Sequence, residues 1–244
     1  MSEPGFAADW PAPACVRTWQ TTRAGGVSHG PYASLNLGTH VGDRPEAVAE
    51  NRVRLCAALD LPAEPLWLEQ VHGSRVLHPD AGESGPADAA VTFEAGAVLV
   101  VMTADCLPVL LASSDGSRIG IAHAGWRGLA AGVLASAVAA LDCDPDGVLA
   151  WLGPAIGQSA FEVGDEVRTA FVASHGSAES AFERNACGRW QADLRALARA
   201  ALERAGVGSI FGSESCTFSD SERYFSHRRE APCGRMASLI WCEK

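Results

Sequence analysis

Ala97-Val98-Leu99-Val100-Val101-Met102-Thr103-Ala104-Asp105-Cys106-Leu107-Pro108 is the stretch that decides how this chain folds. Its first six residues carry no polar side chain, and a short apolar run rich in valine reads as a strand buried on both faces. The reading predicts a buried strand over 96–102, a turn at Asp105-Cys106, and a continuation over 107–111. A second run, Ile119-Gly120-Ile121-Ala122, leads into His123-Ala124-Gly125-Trp126-Arg127-Gly128. Each run therefore ends at a potential metal ligand beside small residues. A third such residue, His72, lies upstream in Trp67-Leu68-Glu69-Gln70-Val71-His72-Gly73. Residues that follow neighbouring strands converge at one sheet edge, where α/β proteins bind ligands.

Outward from these runs, strands are expected over 16–22, 66–71, 89–91, 119–122, 148–152 and 237–241. Helices are expected over 46–59, opened by Pro45 and stopped by Pro62, and over 128–141, 161–173 and 190–205. The last has an apolar face of Leu194, Leu197, Ala198, Ala201 and Leu202, and Gly206 ends it. Residues 78–88 read as a surface loop. Neither a repeat nor a linker divides the chain. The expected architecture is α/β: a single mixed-sheet domain with flanking helices over residues 16–244, preceded by an irregular entrance at 1–15.

Composition narrows the function classes. The chain has 244 residues, 48% of them hydrophobic, and a formal net charge of −10. No Lys/Arg-rich block is present, so nucleic acid and anionic membrane are poor partners. No apolar run approaches the length of a membrane span, and the N-terminus lacks a basic segment followed by an apolar one. The expectation is a cytoplasmic, monomeric protein. Its eight cysteines include no Cys-x-x-Cys pair, and a reducing compartment keeps Cys106 available as a thiolate.

Two imidazoles and a thiolate are a suitable zinc ligand set, with one position left for water or substrate. Asp105, beside the thiolate, and Glu69, near His72, are the carboxylates placed to orient a ligand or carry a proton. A competing chemistry pairs Cys106 with His123 as nucleophile and base, for ester or amide hydrolysis. A buried cysteine with no chemical role is the plainest alternative. Spacing alone leaves these open.

The chain resembles the multicopper polyphenol oxidase, or laccase-domain, family, whose members are also described as purine nucleoside phosphorylases and peptidoglycan editing factors. The resemblance rests on Leu35-Asn36-Leu37-Gly38-Thr39-His40-Val41-Gly42-Asp43, Gln70-Val71-His72-Gly73, Thr103-Ala104-Asp105-Cys106-Leu107-Pro108-Val109 and His123-Ala124-Gly125-Trp126-Arg127-Gly128. It continues through Gly153-Pro154-Ala155-Ile156-Gly157, Phe161-Glu162-Val163-Gly164, Tyr224-Phe225-Ser226-His227-Arg228-Arg229 and Gly234-Arg235-Met236-Ala237. It implies a fold like that of cytotoxic-necrotising-factor-like cysteine hydrolases, with His72, Cys106 and His123 as metal ligands.

The activity it implies is a zinc-containing purine nucleoside phosphorylase acting on adenosine, inosine or methylthioadenosine, with adenosine deaminase as a related activity. Purine nucleoside and phosphate are then the partners. Arg44, Arg52 and Arg127 are expected to position phosphate, Asn36, His40 and His227 to hydrogen-bond substrate, and Trp126 to pack on a purine. The resemblance also implies other activities. One is a peptidoglycan-precursor amide hydrolase using metal-activated water or Cys106, and another is a copper-dependent polyphenol oxidase. Copper collection needs many histidines, whereas this chain has seven and no His-x-His pair. Against every enzyme reading stands a non-catalytic, zinc-stabilised interaction module.

Overall fold

A computed structural model describes residues 4–173 and 176–243; residues 1–3 and 244 of the expected domain bounds lie outside the described residues. In chain order the strands and helices are β1 (Gly5–Phe6), β2 (Val16–Thr21), α1 (Pro45–Leu59), β3 (Leu66–Trp67), β4 (Val76–Leu77), β5 (Ala89–Thr92) and β6 (Val98–Thr103). There follow β7 (Leu107–Ser113), β8 (Ile119–Ala124), α2 (Trp126–Ala130), α3 (Val133–Ala140), β9 (Val148–Leu152), β10 (Glu162–Val163) and α4 (Asp165–Val172). The last are β11 (Phe182–Arg184), β12 (Trp190–Ala192), α5 (Leu194–Arg204), β13 (Ser209–Gly212) and β14 (Met236–Cys242).

These strands build two principal sheets where one mixed sheet was expected. The first runs β1-β2-β14-β6-β3 and the second β13-β9-β7-β8-β5-β4, and a small sheet β10-β12-β11 stands apart. The reason is the double-sided burial already visible in the sequence. On β6, Leu99 and Val101 point into a core shared with Leu110, Ala112, Ile119 and Ile121 of the second sheet. The alternate residues Val98 and Val100 face outward, against Leu55 of α1. On β7, Val109 and Leu111 face a layer containing Leu134, Val138, Leu197 and Leu202 from α3 and α5. The result is four layers, helix–sheet–sheet–helix. A strand apolar on both faces needs a cover on each, and each fully buried Leu or Val contributes about 1.5–3 kcal/mol.

Four boundaries differ from expectation. The strand expected over 66–71 closes after Trp67 because the Gln70 side chain replaces the next rung of the ladder. Its amide nitrogen donates to the Met102 carbonyl at 2.8 Å and its oxygen accepts from the Met102 N–H at 2.7 Å. The helix expected over 128–141 is two helices, broken at Gly132 with φ 87°. The helix expected over 161–173 begins only at Asp165, since Glu162 and Val163 pair with Gln191 and Trp190. For the same reason Trp190–Ala192 is strand, and Asp193 caps α5 by accepting from the N–H groups of Arg195 and Ala196. Within the expected irregular entrance, Gly5 and Phe6 pair with Thr21 and Gln20.

Candidate metal centre

The turn after β6 carries the chain from one sheet to the other, and Asp105 makes it with φ 90°. Cys106 emerges at the start of β7, whose residue Pro108 lies opposite His123. His123 is therefore a residue of β8 itself, not of the loop beyond it. His72 arrives from the loop after β3 with φ 61°, a conformation that costs a non-glycine residue on the order of 1–3 kcal/mol.

The three side chains meet. Their ligand atoms lie within 4.8 Å of one another, Cys106 Sγ is 3.8 Å from His72 Nε2, and the two imidazole rings are edge-on at 4.7 Å. Gly125 makes the approach possible, because a Cβ there would stand 2.9 Å from His72 Cδ2 and 3.0 Å from Cys106 Sγ. Among the described residues this is the group of His, Cys, Asp and Glu able to hold a metal ion. A soft thiolate with two imidazole nitrogens fits a borderline-soft divalent ion such as zinc.

Behind it sits Asp88, at the end of the segment expected as a surface loop. Its side chain is fully buried. One oxygen accepts from His123 Nδ1 at 2.7 Å and from the His72 N–H at 2.9 Å. The other accepts from the N–H groups of Val71 at 3.1 Å and Gly73 at 2.6 Å. The sequence signal was present, namely an acid directly before the apolar run Ala89-Ala90-Val91, where only a partnered carboxylate is tolerated.

Electrostatics follow from this packing. Burial alone would raise the Cys106 thiol, but the facing His123 and His72 imidazoles outweigh it and bring the thiol down to about 6. Burial would lower His123, yet the Cys106 thiolate and the Asp88 carboxylate hold it up at about 9. Burial opposes ionisation of Asp88 too, and the hydrogen bonds from His123 and Gly73 bring it below the usual carboxylate range.

The group opens onto a cleft of about 790 Å³ whose lining includes His40, Arg52, Glu69, Arg127, His227 and Arg235. Among the described residues Glu69 is the one carboxylate in that lining, and none of the three arginines forms an ion pair. Arg52 stacks on Trp67 at 3.8 Å and donates to the Leu37 carbonyl. Burial, and then the charges of Arg235 and Arg52, push the His40 imidazole below its usual range, favouring the neutral ring. An acidic chain thus holds a locally cationic cleft.

Several expected site residues lie elsewhere. Asn36 is fully buried. Its amide donates to the Gly38 carbonyl and to Asp43, and its oxygen accepts from the N–H groups of Gly38 and Arg235. It builds the loop beneath the cleft instead of facing substrate. Gly38 leaves room there for Arg235, whose Cγ a Cβ would meet at 2.8 Å. Arg44 is exposed at the start of α1, off the cleft. Trp126 packs against the helical layer and carries Arg127 at 4.3 Å on its ring, so it supports an arginine where a purine was expected. Asp105 is turned away from the cleft, accepting from Thr217 Oγ1 and the Arg228 N–H, both at 2.7 Å. It anchors the segment that carries His227. Arg235 joins the cleft lining without having been expected there, and its place in Gly234-Arg235-Met236-Ala237 is the sequence signal for it.

The family described as multi-copper polyphenol oxidoreductase laccase matches residues 17–243. Purine nucleoside phosphorylase YfiH of Escherichia coli is 52% identical over 235 residues, 95% of this chain and 96% of that one. Purine nucleoside phosphorylase PA4543 of Pseudomonas aeruginosa is 52% identical over 236 residues, covering 96% and 97% of the two chains. The crystal structure of Neisseria meningitidis protein NMB0706 superimposes with a TM-score of 0.95 at 48% identity, covering 99% of this chain and 100% of that one. YlmD from Geobacillus stearothermophilus superimposes with a TM-score of 0.90 at 31% identity, covering 100% and 98%. Among the described residues no helix is long and apolar enough to cross a membrane.

Proposed function

The chain belongs to the purine nucleoside phosphorylase and YfiH family, and on that premise we propose that it is a zinc-containing purine nucleoside phosphorylase acting on adenosine, inosine or methylthioadenosine. The observation that carries the reading is the cleft: three arginines that form no ion pair among the described residues, lining one opening with the His72–Cys106–His123 group in a chain of net charge −10. Phosphorolysis needs such a place, because a phosphate dianion must be desolvated and held against the ribose C1′ while the bond to the base breaks.

In this reading Arg52, Arg127 and Arg235 hold the phosphate. Arg52 is fixed for the task by Trp67 and the Leu37 carbonyl, and Arg235 by the Cys233 and Gly234 carbonyls. His40 and His227 hydrogen-bond the sugar. Glu69, the carboxylate of the lining, carries the proton toward the departing purine. His72, Cys106 and His123 hold the zinc, which supplies a Lewis acid at the cleft floor when bound. A copper-dependent oxidase needs several copper sites passing electrons between them, and the described residues assemble one three-ligand group. Residues 16–244 are one catalytic domain in this proposal.

A second reading is favoured by one observation. Cys106, His123 and Asp88 stand in the order of a nucleophile, its base and the carboxylate that orients the base. This is the arrangement that likeness to a cytotoxic-necrotising-factor-like cysteine hydrolase would require, and it supports amide hydrolysis of a peptide-bearing precursor by the metal-free protein.

Resolving the products of adenosine by mass separates these readings. Adenine with ribose 1-phosphate, lost in Cys106→Ala and in His123→Ala, is the expected outcome. Inosine without phosphate dependence would assign deamination instead. Unchanged adenosine together with hydrolysis of an amide substrate by metal-free protein would replace the proposal with the second reading.

A further inference from the structure

Asp88 is tied to the metal group at more points than a stabilising carboxylate needs. Its oxygens take four N–H groups, from the His123 ring and from the backbones of Val71, His72 and Gly73. Its own carbonyl accepts the His123 backbone N–H at 2.7 Å. Three successive backbone N–H groups converging on one anion form a nest, the arrangement by which short loops wrap a charge.

Both imidazoles depend on these contacts, by different routes. An ionised carboxylate only accepts, so it keeps the proton on His123 Nδ1, and Nε2 is the nitrogen that gives up its proton and offers its lone pair when a metal binds. His72 is not touched at its ring. Its backbone is held in the left-handed region, at φ 61°, and the buried charge at 2.9 Å from its N–H offsets that strain. Without the carboxylate the loop over 71–73 has no reason to keep this shape, and the His72 ring leaves the neighbourhood of Cys106.

We propose that Asp88 is the positioning residue of the metal centre, a single buried carboxylate that sets His123 through its ring and His72 through its backbone, so that both ligands are in place before any ion arrives. This inference rests on reading His72, Cys106 and His123 as a metal centre. Cys106 does not share the dependence, since no atom of Asp88 bonds to it. Asparagine cannot replace the carboxylate, because it has one accepting oxygen and turns an amide N–H toward the other donors.

The test measures zinc affinity by competition with a chromophoric chelator, in the wild-type protein and in Asp88→Asn, and the visible spectrum of each with cobalt(II). Affinity is expected to fall about 10- to 100-fold in the variant. The cobalt spectrum is expected to lose the intensity of a constrained site while keeping the thiolate charge-transfer band of Cys106. Wild-type affinity and an unchanged cobalt spectrum in Asp88→Asn would overturn the inference and leave the metal reading standing. A wild-type protein that binds no zinc would overturn both.

Hydrogen exchange on the metal-free wild-type protein does not depend on the variant folding. The amides of His72 and Gly73 are expected to exchange slowly although His72 is exposed. Exchange at the rate of an open loop would overturn preorganisation.

Discussion

A thiol that faces two imidazoles from within a protein does not keep its ordinary acidity. For Cys106 the attraction of His123 and His72 exceeds the cost of burying a thiolate, and the thiol comes down to about 6 while His123 rises to about 9. The sign follows directly. Below both values the thiol and an imidazolium face each other, between them a thiolate faces an imidazolium, and above them the imidazole is neutral. Alkylation of Cys106 in chelator-treated protein, followed on its own peptide, is therefore expected to rise with pH around a midpoint near 6; a midpoint near 9 would contradict the pairing. Gly125→Ala tests the same approach sterically, since the new Cβ would stand 3.0 Å from Cys106 Sγ, and the expected result is weakened zinc binding in a folded protein. Arg127 is exposed, lines the cleft and rests on Trp126. Losing one charge-assisted contact to phosphate is worth about 1.5–3 kcal/mol, so Arg127→Gln is expected to raise the KM for phosphate roughly tenfold or more at unchanged melting temperature. Steady-state kinetics at varied phosphate would show it.

Strands, not loops, deliver two of the three ligands' neighbours, and register does the placing. Pairing Pro108 with His123 puts the first residues of β7 beside the last of β8, and a slip of one residue would turn His123 to the other face. The sheets must therefore be held rigidly by the core between them. Leu110→Ala, at a residue almost wholly buried between the sheets, is expected to cost about 2–5 kcal/mol in denaturant unfolding. The activity of the molecules that remain folded should be unchanged. This level of organisation was largely legible in the sequence, because an apolar run of valines and leucines with no polar break admits only a doubly covered strand. The second sheet was not, since periodicity says that a strand has two buried faces without saying what covers them. The same limit hid the strands at Glu162–Val163 and Trp190–Ala192, which pair with each other across a long stretch of chain, the second also with nearby Phe182–Arg184, and so override a helical pattern. Asn36 and Asp105 look like binding residues in a one-dimensional motif; in the fold they accept from the backbone N–H groups of Arg235, which lines the cleft, and of Arg228, next to the lining residue His227.

Charge is distributed against the average at the scale of the whole molecule. The net charge is −10, yet among the described residues the cleft gathers Arg52, Arg127, Arg235 and the four histidines His40, His72, His123 and His227 against a single carboxylate, Glu69. An anion is repelled by the surface and drawn in only close to the opening, and salt screens both effects over about 8–10 Å. The balance inside the cleft is short-range and partly desolvated, so raising ionic strength is expected to raise the KM for phosphate while that for adenosine, an uncharged substrate, stays nearly constant. Equal changes in the two constants would place the arginines outside the phosphate site. Phosphorolysis is tested most directly by the rate of adenine release by zinc-loaded wild-type protein at fixed adenosine as inorganic phosphate is varied. A saturable dependence on phosphate is expected, with ribose 1-phosphate appearing mole for mole with adenine; adenine release that ignores phosphate, or no release at any concentration, would rule phosphorolysis out.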